Sequence, residues 1–270
     1  YISTYGIKNP FNYQFSDEEL RKLTAEELIT VLKNLTKYPH KILYYGPEEQ
    51  QQLVKTLSMY HKTTITNKLL PASYPFSFKK NTTKEVNFAN YDMVQTEILW
   101  NRNSTTFNTV NIPVINLFNE YFGGGMSGIV FQTIRESKAL AYSTYAYYRT
   151  AYKKNEPNSM KSYVGCQADK MNEAIAGMEE LMDSLPYSEK LFSIAKIALK
   201  NNYATSRVLK DQILFKYLEA LRYGISYDPR EKTYQLLGKL TFKEIKAFHQ
   251  NMIAKKPYSI SISGDEKKIR

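Results

Sequence analysis

The chain has 270 residues, 43% of them hydrophobic and 14% aromatic, which excludes a disordered or collagen-like class and leaves ample length for a packed core in one large domain or two modest ones. No run of about 18 apolar residues is present to cross a membrane as a helix. Lys and Arg number 37 against 26 acids, a balance of +11. The lysines fall in short clusters such as Lys79-Lys80, Lys153-Lys154 and Lys255-Lys256, with no nucleic-acid-binding motif around them, so nucleic acid is not an expected partner.

Cys166 is the single cysteine, which rules out a disulfide framework or a cysteine-based metal site within the chain. The first residue is Tyr1 and no signal-peptide-like run precedes the fold, so the chain is expected to be a fragment of a longer protein. Ser16 with Glu19 forms a capping box that predicts a short helix. Thr24 with Glu27 forms a second, opening LTAEELITVLKNL, where Leu28, Val31, Leu32 and Leu35 recur at helical spacing. Pro39 then leads into HKILYY, a predicted strand ending at Gly46.

The same grammar returns near the other end. Thr241 with Glu244 opens a helix in LTFKEIKAFHQNMI, and Pro257 leads into YSISIS ending at Gly264. From proline to glycine the spacing is seven in both copies, and the period of about 217 residues is that of a domain. Residues 1–46 are therefore expected to close a preceding α+β repeat whose beginning is missing. Residues 47–75 would be a helix, begun by Pro47, Glu48 and Glu49, and a linker from Thr63 to Pro75 marked by Pro71 and Pro75. Residues 76–270 would be a complete C-terminal α+β domain, an antiparallel sheet with helices packed on one face.

Within that domain, FSFKKNTTKEVNFANYDMVQTEILWNRN predicts at least two strands, the longer over roughly Asp92 to Asn101 and central to the sheet. Asn108 to Phe122 reads as a helix with Pro113 in its first turn. Gly123 to Gly125 should stop it with a positive-φ turn, and Ser127 should cap a short second helix that buries Ile129, Val130, Phe131 and Ile134. LAYSTYAYY and SMKSYVGCQAD predict paired strands across a loop at Lys153 to Asn158. Asp169 is the expected cap of MNEAIAGMEELMDSL, whose Met171, Met178 and Met182 read as core. Ser188 should start a long tract to about Arg222 with a break near Thr205 to Val208.

Arg135 lies near the end of the short helix and Tyr142 near the start of the following strand. A turn at Ser137 to Ala139 would fold the strand back beside the helix and bring the two side chains to one point. Guanidinium and phenol both donate hydrogen bonds and can polarise a carbonyl oxygen, a contribution of roughly 10²–10³ in rate per donor. Arg135 could equally form a surface ion pair with Glu136, and Tyr142 is one of 23 tyrosines. The glycines match neither G-x-G-x-x-G nor a P-loop.

The run FGGGMSGIVFQTIRESKALAYS resembles the signature of the C-terminal half of pitrilysin/insulinase-type zinc peptidases, the group that includes the mitochondrial processing peptidases. That resemblance implies tandem α+β domains and a substrate-binding role for Arg135 and Tyr142, which would reach the scissile peptide bond inside a closed chamber. It implies zinc on an H-x-x-E-H helix in a missing N-terminal half. His40, His61 and His249 are isolated, so no metal ligand and no catalytic residue are assigned to this chain. Ala139 departs from the family, which usually has Gly there. The expected partners are the N-terminal half, or a partner subunit, and a peptide substrate, with acidic peptides favoured by the charge. The alternative is a non-catalytic scaffold or assembly subunit of the same fold. Bacterial origin and a periplasmic location follow by analogy only.

Overall fold

A computed structural model describes residues 1–66, 69–70 and 76–269; Pro71 and Pro75 of the predicted linker lie outside the described residues. The chain divides into two compact units, one of residues 1–7, 78–207 and 219–270, the other of residues 8–77 and 208–218. A short α1 (Ile2–Tyr5) opens the first.

The second unit holds α2 (Asp17–Lys22), α3 (Ala25–Leu35) and α4 (Gln50–Tyr60). Both predicted capping boxes form, with Ser16 accepting from the Glu19 amide and Thr24 from the Glu27 amide. Helix α4 begins three residues after Pro47. The predicted strand at HKILYY is not a strand here: Lys41 to Tyr45 pair with no neighbour among the described residues, and Ile42 to Tyr45 are exposed. A β-former becomes a strand only when a ladder receives its backbone groups.

The first unit is built on a five-stranded sheet of β1 (Glu85–Asn90), β2 (Gln95–Thr106), β3 (Ser143–Arg149), β4 (Pro157–Gln167) and β5 (Ser259–Gly264), in the order β1-β5-β2-β4-β3. Strand β2 is central, as its alternation predicts. It starts at Gln95 rather than Asp92 because β4 ends opposite that residue, at Gln167. All pairs are antiparallel except β1 with β5, which run parallel because β5 returns after the helices to insert beside β2.

One face of the sheet is covered by α5 (Ile112–Gly123), α6 (Met171–Asp183) and α10 (Phe242–Met252), with α7 (Glu189–Thr205) and α9 (Pro229–Leu237) packed against α5. Between α7 and α9 runs α8 (Ile213–Tyr223); the break between α7 and α8 falls where expected, and α9, capped by Asp228 ahead of Pro229, was not foreseen. The core joins Ile98, Trp100, Val164 and Ile260 of the sheet to Phe118, Phe122, Met178, Met182, Ile245 and Phe248 of the helices. Met171 packs against it, partly buried. Helix α1 is the exception to one-sided packing. Asn101 points opposite to Trp100 and donates from Nδ2 to the Ser3 carbonyl at 3.0 Å, which lays α1 on the other face. Asp169 sits in a 3-10 turn before α6 and does not cap it.

Candidate functional site

Helix α5 runs into the glycines and ends against β3. A side chain at Gly123 would put its Cβ 1.6 Å from the Ala146 carbonyl oxygen, so only glycine allows the helix end to touch that strand. The positive φ predicted for the turn falls at Gly125, at 58°. Asn119 of α5 holds the outer edge of β3 from the side, accepting from the Tyr148 amide at 2.7 Å and donating to its carbonyl at 3.0 Å. An edge strand that would otherwise offer open backbone groups is thereby fixed.

The short second helix begins with the Gly128 carbonyl accepting from the Gln132 amide; Ser127 lies in a 3-10 turn ahead of it and is not its cap. From Phe131 to Ser137 it widens to a π-helix, a form often found at functional positions. It closes with the Lys138 amide on Thr133 and the Leu140 amide on Ile134. The reversal between them is made by Ala139 at φ 50°, the left-handed region where glycine is favoured. The departure noted in the sequence thus falls on the residue that bears the backbone strain. Leu140 and Ile134 are buried beside Gly177 of α6, which anchors the turn.

Tyr142 follows, its amide donating to the Gly165 carbonyl at 2.9 Å as the hairpin starts. Its side chain is 72% exposed. The guanidinium carbon of Arg135 lies 5.9 Å from the Tyr142 ring centre and 4.9 Å from that of Phe131. The structure therefore brings Arg135 and Tyr142 together. Glu136 approaches Arg135 at only 3.9 Å, with both side chains about half exposed, a contact too long and too solvated to hold the guanidinium. Phe131, expected in the core, is instead the half-buried shelf under Arg135; their i,i+4 spacing was the available signal.

Among the described residues no group of three His, Cys, Asp or Glu stands close enough to hold a metal ion. His249 is buried against Phe118 and Phe122, and burial lowers its pKa. Burial likewise pushes the Cys166 thiol up to about 11. His40 and His61 bond to one another at 2.8 Å. These residues do not fit a catalytic zinc.

A mixed sheet backed by helices, with an exposed arginine and tyrosine presented at the start of its edge strand, makes this an α+β unit. The family model described as "Peptidase M16 inactive domain" matches residues 22–199, and the chain belongs to that family. Its fold is similar to that of a peptidase M16 inactive domain from Pseudomonas fluorescens, with 13% identity, a TM-score of 0.66, and 94% of this chain and 61% of that one covered. A protease from Helicobacter pylori is similar at 11% identity and TM-score 0.66, over 91% of this chain and 60% of that one. The periplasmic protease PqqL from Escherichia coli is similar at 15% and 0.61, over 82% and 25%. The chain thus spans about 60% of the length of the first two. No curated protein matches it.

Proposed function

We propose that this chain is the substrate-binding part of a zinc metalloendopeptidase, supplying hydrogen-bond donors while the metal is held by a separate half of the parent or by a partner subunit. The supporting observation is the meeting of Arg135 and Tyr142 at an exposed point, on a turn and an edge strand fixed by α5 and α6. Guanidinium N–H groups and a phenol O–H, held in place before substrate arrives, stabilise charge developing on a peptide carbonyl without reorganisation. Closure of the other half would exclude water and complete the site. A periplasmic location is part of the same reading and draws on the printed name of one neighbour.

The domain plan is proposed with it. In this plan residues 1–46 close a preceding repeat, 47–75 form a helix and linker, and 76–270 form the last domain, although residues 1–7 pack with the sheet unit and 208–218 group with residues 8–77. Leu28, Val31 and Leu32 of α3 stand 217 positions before Ile245, Phe248 and His249 of α10. The first three are exposed and the second three are buried under the sheet. The stripe on α3 has the same spacing and lacks only its sheet.

The test is peptide hydrolysis by the full-length protein carrying Arg135→Ala or Tyr142→Phe. Each is expected to lower kcat by roughly 10²–10³, the cost of one oxyanion donor. Wild-type turnover in both overturns the assignment. An unmutated parent that hydrolyses no peptide and has no H-x-x-E-H segment favours the scaffold instead.

A further inference from the structure

The face of the β3–β4 hairpin away from the helices carries a tyrosine ladder that leads into a cationic cleft. Tyr145 stacks on Tyr163 across the strands at 4.9 Å between ring centres, and on Tyr147 along the strand at 5.8 Å. Tyr147 stands opposite Lys161 and Arg149 opposite Ser159, so alternation puts Tyr145, Tyr147, Arg149, Lys161 and Tyr163 on one face. Beyond the ladder a cleft of about 590 Å³ is lined by Arg149, Lys153 and Lys161, with Tyr5, Phe78 and Glu156 among its walls.

Three cations and one carboxylate line this space. The side chains of Arg149 and Lys161 form no ion pair or hydrogen bond among the described residues. Lys161 is half-buried, and burial first, then the nearby Arg149, lowers its pKa. Two like charges gathered in a partly desolvated cleft are unfavourable alone and favourable around an anion. A guanidinium matches a carboxylate with two parallel hydrogen bonds, and flat tyrosine rings beside it suit an extended backbone.

We propose that this cleft binds a carboxylate of an extended peptide lying along the tyrosine ladder, and so selects acidic peptides for the Arg135–Tyr142 site. The proposal rests on the peptide-binding reading of that site. Arg149, the last residue of β3, lies seven positions along the chain from Tyr142, about 23 Å at the rise of a strand. The carboxylate of an extended peptide would therefore lie about seven residues from the bond held at Tyr142.

The experiment uses the full-length protein treated with EDTA to prevent cleavage, and fluorescence anisotropy of three labelled decapeptides. One ends in Glu with a free carboxylate, one in Glu amide and one in Gln amide. Tighter binding of the free acid, by about tenfold over Gln amide as expected for a lost charged hydrogen bond, supports the cleft. Retention of that preference by Glu amide assigns it to the side-chain carboxylate; its loss assigns it to the chain terminus. Arg149→Gln and Lys161→Met are expected to abolish the preference while leaving Gln-amide binding unchanged, and Arg149→Lys to keep part of it. Equal affinity for all three peptides, or an equal loss for all three in the variants, overturns the proposal. Hydrolysis assayed in parallel on the untreated protein keeps the two readings apart: absent hydrolysis counts against the peptidase reading, and intact hydrolysis without carboxylate preference against the cleft alone.

Discussion

Arg135 and Tyr142 meet 5.9 Å apart, guanidinium carbon to ring centre, although one ends a helix and the other starts a strand. Their contact is exposed, so its contribution to folding is small, about 0.5–1 kcal/mol for a solvated cation–π pair. Arg135→Ala and Tyr142→Phe should each change unfolding free energy by less than about 1 kcal/mol. Trp100, the single tryptophan and fully buried in the sheet core, reports that unit's unfolding by fluorescence. A loss of about 3 kcal/mol in either variant would make the pair a structural element and remove the reason to give it a role in binding.

Ala139 makes the turn between them at φ 50°. An L-residue in the left-handed region costs roughly 1–2 kcal/mol, and glycine returns about 0.5–1 kcal/mol of that through the freedom it adds to the unfolded chain. Ala139→Gly should therefore stabilise the unit by about 0.5 kcal/mol, read as a rise in urea midpoint at unchanged slope. Destabilisation would show that the methyl packs usefully where it is.

Capping boxes, the β3–β4 hairpin, the α7–α8 break and the meeting of Arg135 with Tyr142 were all legible in the sequence, because each is decided within about twenty residues. Parallel pairing of β1 with β5 was not, since it joins Glu85 to Ser259 across most of the chain. HKILYY was misread for the opposite reason. Its local pattern matches that of β5, with Ile42 and Tyr44 at the positions of Ile260 and Ile262, yet no ladder receives it among the described residues. Phe131 was placed in the core by period alone, when a cation four residues on makes it a shelf.

Gly123 tests how tightly α5 positions the edge strand. A Cβ 1.6 Å from the Ala146 carbonyl oxygen cannot be accommodated without moving helix or strand. Gly123→Ala should cost about 3 kcal/mol or more, at the upper end of overpacking substitutions. A near-neutral result in a denaturant titration would mean that α5 is not seated on β3 as described.

His249 gives the unit an acid-side weakness. Burial lowers the pKa of its ring, against the opposing effects of the Leu181 and Met182 backbone and of Asp183. With the folded pKa below the unfolded value of about 6.5, the unfolded state binds the proton more readily. Stability is then complete above about pH 6.5 and falls as pH drops below it. His249→Phe should flatten that slope between about pH 5 and 7, measured by Trp100 fluorescence in urea. An unchanged slope would assign it to other groups.

The exposed stripe of α3 makes the most direct test of the domain plan. Leu28 and Leu32 are 52% and 63% exposed, whereas Ile245 and His249 at the matching positions of α10 are 0% and 1%. An 11-residue helix whose apolar stripe stays largely exposed is marginal in water even with a capping box. In the 270-residue chain alone, amides of α3 should exchange within a few tens of times their unfolded rate, while those of α10 exchange only by unfolding of the whole unit. If the proposed preceding repeat is present in a longer parent, its sheet should cover Leu28, Val31 and Leu32 there, and α3 should become as protected as α10. Hydrogen exchange on the two proteins decides it: equal, fast exchange of α3 in both would show that no preceding repeat closes over this helix.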